Sequence, residues 1–125
     1  MKLAARASSG NEVHDEILRL SDALTEAIEE LENSGRDYAI KDNEMRRAKA
    51  KAFLQSFGKN AQEREANADS KYSDERLAAT LAEHYNTACL EKVRGIRAQL
   101  SALQTLAAAR RIEYESIQYG QTQRV

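Results

Sequence analysis

Apolar residues recur at every seventh position from Ile17 through Leu24, Leu31, Tyr38 and Met45 to Ala52, with Leu20, Ala27 or Ile28, and Ala48 between them. A 3–4 alternation held this long suits one long helix whose apolar stripe lies against another helix. Nothing interrupts it: the 125 residues include no proline, the residue that most reliably breaks a helix. Asn33-Ser34-Gly35 is the weak point, because glycine inside a helix costs ~1 kcal/mol relative to alanine. The heptad phase is unchanged across it, Leu31 and Tyr38 remaining seven apart. A continuous helix with a soft spot at Gly35 is therefore expected, in preference to two helices.

A second stripe follows. Ala82, Cys89, Ile96, Leu103 and Ile117 share one heptad column, interrupted by Arg110, and Val93, Leu100, Ala107 and Tyr114 share another. The expected boundaries are a flexible tail over 1–10, a helix over 11–57, a connection over 58–72, a helix over 73–119 and a tail over 121–125, so that 11–120 is one domain. Asn11 and Ser73 are the expected N-caps, each followed by acids that suit a helix start. Gly58 is the expected left-handed residue after the first helix, and Tyr119-Gly120 the expected end of the second. Within the connection, 61–68 has the composition for two turns of helix and 69–72 reads as a loop. The fold class expected is all-α: an elongated antiparallel helical hairpin of coiled-coil type, completed by self-association. Two helices alone bury little apolar area, and the extra leucines of the second helix call for a further partner. Leu77, Leu81, Leu90, Leu100, Leu103 and Leu106 are the residues expected to face a second copy.

Charge is unevenly distributed. Residues 11–33 hold eight acids and one base, a net of −7; residues 36–59 hold seven bases and three acids, a net of +4; residues 92–111 hold five bases and no acid. A hairpin folded about residue ~65, as this reading of the connection implies, sets Lys92, Arg94 and Arg97 beside Arg36 and Lys41. Arg36, Lys41, Arg46, Arg47, Lys49, Lys51, Lys92, Arg94 and Arg97 are the candidate surface for nucleic acid or an acidic partner. No aromatic side chain is expected to interleave these bases, so contact with nucleic acid would be directed at the backbone. The bland account of the same charges is solvated helix faces and pairs that set helix register. With a formal net charge of −1, a uniformly basic nucleic-acid-coating protein is excluded.

Catalytic signatures are missing. The five glycines are isolated, the single cysteine allows neither a paired-cysteine metal motif nor an internal disulfide, and HExxH does not occur. His14 among Glu12, Asp15 and Glu16 reads as an exposed helix start, His84 as an interhelical or surface residue, and Cys89 as a buried thiol. Tyr38, Tyr85 and Tyr114 fall on the seam, with hydroxyls expected to reach water. No cofactor, metal, small-molecule substrate or membrane partner is expected. No apolar run approaches the ~20 residues that span a bilayer, and Met1–Gly10 lacks the apolar core of a secretory signal. A cytoplasmic setting is the expectation.

Three segments carry a resemblance: Arg46-Arg47-Ala48-Lys49-Ala50-Lys51-Ala52-Phe53-Leu54, then Gly58-Lys59-Asn60-Ala61-Gln62-Glu63-Arg64-Glu65-Ala66, then the run from Arg94 to Arg111. Together the chain resembles small coiled-coil proteins of tailed bacteriophages and prophages, often encoded beside recombination and single-strand-binding genes. The resemblance implies a phage accessory protein that acts by binding inside the infected cell. Two functions are then expected to compete: an accessory of the DNA recombination or replication module that binds DNA or a DNA-bound protein, and an inhibitor or adaptor directed at a host nuclease or defence complex. A structural role in assembly ranks third.

Overall fold

The computed structural model describes residues 10–123. Helices make up 95% of them and no strand occurs among them, so the protein is all-α. Helix α1 spans Gly10–Gln55, α2 spans Ala61–Lys71 and α3 spans Ser73–Gln123. Most of the expected tails lies outside the described residues. α1 crosses Asn33-Ser34-Gly35 without a break, as the unbroken heptad phase required.

Two compact units emerge. Unit 1 takes in α1 up to Ala27 and α3 from Lys92, and unit 2 spans Ile28–Glu91. In unit 1, Val13, Leu20, Leu100 and Leu103 form a buried cluster, flanked by Ile17, Leu24, Ile96, Leu106 and Ala107. These residues keep the 3–4 spacing on both helices, and each fully buried leucine or valine stabilises the packing by roughly 1.5–3 kcal/mol. Leu100 and Leu103 are thus covered by α1 of the same chain, which corrects the expectation that they face a second copy. Leu90 and Leu106 are half-buried, whereas Leu77 and Leu81 are exposed.

In unit 2 the same spacing continues with different chemistry. The shielded positions are Leu31, Ser34, Tyr38, Lys41, Met45, Ala48 and Ala52 on α1, Tyr72 between α2 and α3, and Glu75, Ala79, Ala82, Asn86 and Cys89 on α3. Small and polar side chains predominate. Ser34 Oγ lies 2.9 Å from Asn86 Oδ1 and 2.9 Å from the Leu31 carbonyl oxygen. One hydroxyl proton cannot serve two acceptors, so the pair is satisfied when Asn86 turns its NH₂ towards Ser34. A buried polar pair of this kind fixes which residues face one another, at a cost in stability.

The reversal of the chain lies at Ser56–Asn60, not at residue 65. Helix α2 runs back along α1: Ala68 and Tyr72 share a buried cluster with Ala52, packed on Met45 and Ala48. Lys71 Nζ donates to the Gln55 carbonyl at 3.1 Å and Asn67 Nδ2 to the Phe57 carbonyl at 2.6 Å. This sets Asn86, not a residue near 96, against Ser34. The expected register, folded about residue ~65, is corrected accordingly.

Several ends differ from expectation for local reasons. α1 stops at Gln55, two residues short of 57, and Gly58 has no positive φ. Gly58 is needed for close approach instead: a Cβ there would fall 2.7 Å from the Arg64 backbone nitrogen. Residues 69–71 are helical rather than loop. The cap of α2 is Asn60, whose side chain accepts from the Glu63 N–H at 2.8 Å, while Glu63 Oε2 accepts from the Lys59 N–H at 3.2 Å. This is a near-reciprocal capping box. At the start of α3 the Tyr72 carbonyl accepts from the Arg76 N–H, and Ser73 Oγ donates backwards to the Ser70 carbonyl, so Ser73 is not the cap. Asn11 lies inside α1, and α3 continues through Tyr119-Gly120 to Gln123.

Candidate binding face on α1

Of the nine candidate bases, six lie in unit 2 and Lys92, Arg94 and Arg97 in unit 1. Three of the six are tied to α1 itself. Arg36 donates to Asn33 Oδ1, Arg46 Nε donates to Asp42 Oδ2 at 2.9 Å, and Lys41 Nζ lies 4.0 Å from Glu44. Lys41 also occupies a half-buried seam position. Arg47, Lys49 and Lys51 are exposed, and no acid among the described residues pairs with them. Lys92, Arg94 and Arg97 are exposed on α3; Lys92 and Arg94 interact within the chain.

The seam explains this layout. Met45, Ala48 and Ala52 turn inward, so at ~100° per residue the intervening positions fan across the outer surface. Arg46, Lys49, Ala50, Phe53 and Leu54 line one shallow groove there. Leu54 is 86% exposed and Phe57, two residues past the helix, is also 86% exposed. The expectation that no aromatic interleaves these bases is corrected: Phe53 stands one turn beyond Lys49 on the same face. Its signal was present in the spacing of 46, 49, 50, 53 and 54, which follows the outer face one residue off seam position Ala52.

Elsewhere the polar groups are internally engaged. Tyr85 Oη donates to Glu30 Oε1 at 2.6 Å, correcting the expectation that its hydroxyl reaches only water. This hydrogen bond to a carboxylate, reinforced by the charge of Glu30, pushes the phenol up to about 12. Tyr72 Oη donates to Asp69 Oδ1 at 2.9 Å, which raises its pKa, and the Arg76 guanidinium sits 5.4 Å from the Tyr72 ring centre. Cys89 is buried, as its place on the stripe suggested. His14 and His84 are exposed. Among the described residues no three His, Cys, Asp or Glu side chains converge as a metal site would need. No helix there is long and apolar enough to cross a membrane.

Comparison with protein families, with curated proteins and with solved structures gave no match to this chain.

Proposed function

We propose that this protein is a non-enzymatic nucleic-acid-binding accessory that holds single strands on the outer face of α1. The observation that carries the reading is the groove in which Arg46 and Lys49 stand beside Phe53, with Arg47, Lys51 and Phe57 exposed around it. Cations follow a phosphate backbone, and an aromatic face stacks on an unpaired base whatever its identity. A duplex offers its phosphates but hides its base faces, so single strands are the preferred ligand. The resemblance to phage proteins encoded near recombination and single-strand-binding genes fits this reading. It sets the protein in the cytoplasm of an infected cell.

A second reading is supported by Leu54 and Ala50, which a nucleic acid does not need: an adaptor that binds an acidic protein surface with an apolar anchor. Anisotropy titration with a labelled single-stranded oligonucleotide separates the two. Four phosphate contacts give a slope of about −2.8 in log affinity against log salt, a loss of roughly 50-fold between 50 and 200 mM. The triple variant Arg47→Glu, Lys49→Glu, Lys51→Glu should abolish binding with an unchanged helical spectrum. Absence of wild-type binding at 50 mM salt removes the nucleic-acid reading and leaves the adaptor.

A further inference from the structure

The packed face of α3 in unit 1 does not end where its core ends. Ile96, Leu100, Leu103 and Ala107 pack against α1 in 4-3-4 spacing. The same spacing continues as Arg110, Tyr114 and Ile117. Arg110 is half-buried, but Tyr114 is 62% and Ile117 61% exposed. A groove lies at this place, walled by Val13, His14 and Ile17 on α1 and by Ala107, Arg110, Arg111, Glu113, Tyr114 and Ile117 on α3. The apolar seam of an established interface therefore continues over a further two turns and, among the described residues, carries no covering element.

We propose that this segment of α3 is the contact surface for a second copy of the same chain, paired antiparallel about a two-fold axis near Ile112. The charge order selects that partner. Arg110 and Arg111 precede Glu113 and Glu115, so the segment is basic at one end and acidic at the other. An antiparallel copy reverses the order and sets each Arg111 beside the other copy's Glu113. The same axis places Arg110 beside Tyr114, where a guanidinium stacks on an aromatic ring, and Ala107 beside Ile117. A two-fold contact repeats each pairing and closes on itself. Tyr114 and Ile117, exposed one turn apart on this face, are the kind of apolar surface that marks such a contact. This dimer surface differs from the leucines expected from sequence, since Leu100 and Leu103 are consumed within the chain. The inference rests on unit 1 and is independent of the binding reading for α1.

Sedimentation equilibrium of the full chain over about 1–200 µM tests it. The wild-type protein should move from 14.0 kDa to twice that mass, over the micromolar range typical of small transient contacts. Ile117→Asp should stay monomeric with full helicity, because the residue is exposed in the single chain. Arg111→Glu should weaken the dimer, and Arg111→Glu combined with Glu113→Arg should restore it; failure of that rescue overturns the antiparallel pairing. A chain lacking residues 1–9 should dimerise as the full chain does. If only the shortened chain dimerises, those residues occupy the face and the proposal is wrong. A wild-type monomer at 200 µM, or an Ile117→Asp dimer of unchanged strength, also overturns it.

Discussion

Units 1 and 2 use one heptad spacing for opposite ends. In unit 1 the seam is aliphatic, with Val13, Leu20, Leu100 and Leu103 buried and Ile17, Leu24 and Ile96 beside them. In unit 2 the seam holds Ser34, Lys41, Asn86 and Glu75 among alanines. Six large apolar residues, Ile40, Phe53, Leu54, Phe57, Leu77 and Leu81, are turned outward, while Leu31, Tyr38, Met45 and Tyr72 stay on the shielded side. Glu75 Oε2 is even shielded from solvent with no hydrogen-bond partner among the described residues. Apolar burial is the main stabilising contribution to a fold, and polar pairs add little net energy but define who faces whom. Unit 1 therefore supplies cohesion, while unit 2 gives up cohesion for register and for an outward face.

The sharpest way to break this contrast is to attack each unit and read both properties. Leu103→Ala in unit 1 removes a buried leucine and should cost ~2–5 kcal/mol of stability. Urea denaturation measures this, and oligonucleotide affinity at a temperature where the variant is folded should be unchanged. A smaller effect of opposite kind is expected from Phe53→Ala and Phe57→Ala in unit 2. Losing a base-stacking contact costs ~1–3 kcal/mol of binding, seen in anisotropy titration, while the urea midpoint stays where it was. If Phe57→Ala unfolds the protein instead, the two units do not divide the work.

The next effect is smaller. Asn86→Ala leaves the Ser34 hydroxyl buried with one partner fewer and should cost about 1 kcal/mol. The double variant Ser34→Ala, Asn86→Leu should recover that stability or exceed it, since a well-packed apolar pair has no unsatisfied group. Its price is a looser register, visible as broadened or doubled amide resonances around residues 30–40.

The smallest effect is titration of Tyr85. Its phenol is held up to about 12 by Glu30, against ~10 for an unperturbed tyrosine. Because the folded value is the higher one, the hydrogen bond contributes fully below pH ~10 and is lost as pH rises through about 12. Ultraviolet titration of the five tyrosines should show Tyr72, raised by Asp69, as well as Tyr85 titrating late, and Glu30→Gln should move only the Tyr85 component to lower pH. Absence of a late component that Glu30→Gln moves would mean that Tyr85 and Glu30 do not meet in solution.

Much of this was legible in the residues, and the exceptions have physical causes. Heptad spacing and the lack of proline specified two long helices, and constancy of phase carried α1 through Gly35. Register was misjudged because residues 69–71 look like a loop by composition, yet extend α2 back along α1 and move the reversal to Ser56–Asn60. Composition cannot register the tertiary contact of Ala68 and Tyr72 with Ala52 that decides this. The capping pattern of Asn60 and Glu63 is readable, but it lies in a short polar segment that composition marks for no more than two turns of helix. At the candidate face, the bases were found by counting charge. Phe53 and Phe57 were not, because counting charge passes over aromatics and a phenylalanine at a helix end has an ordinary packing role. Leu100 and Leu103 were correctly apolar and wrongly assigned to a second copy, since spacing alone does not say which helix covers a stripe.

Backbone hydrogen exchange, with and without a single-stranded oligonucleotide, tests the division of labour most directly. Without ligand, the slowest amides should lie at 13–24 and 96–107, where aliphatic packing opposes opening, with faster exchange over 34–52 and 75–89. Added oligonucleotide should slow exchange over 46–57 and leave 13–24 as it was. Equal protection in both units, or a ligand response confined to unit 1, would contradict the account.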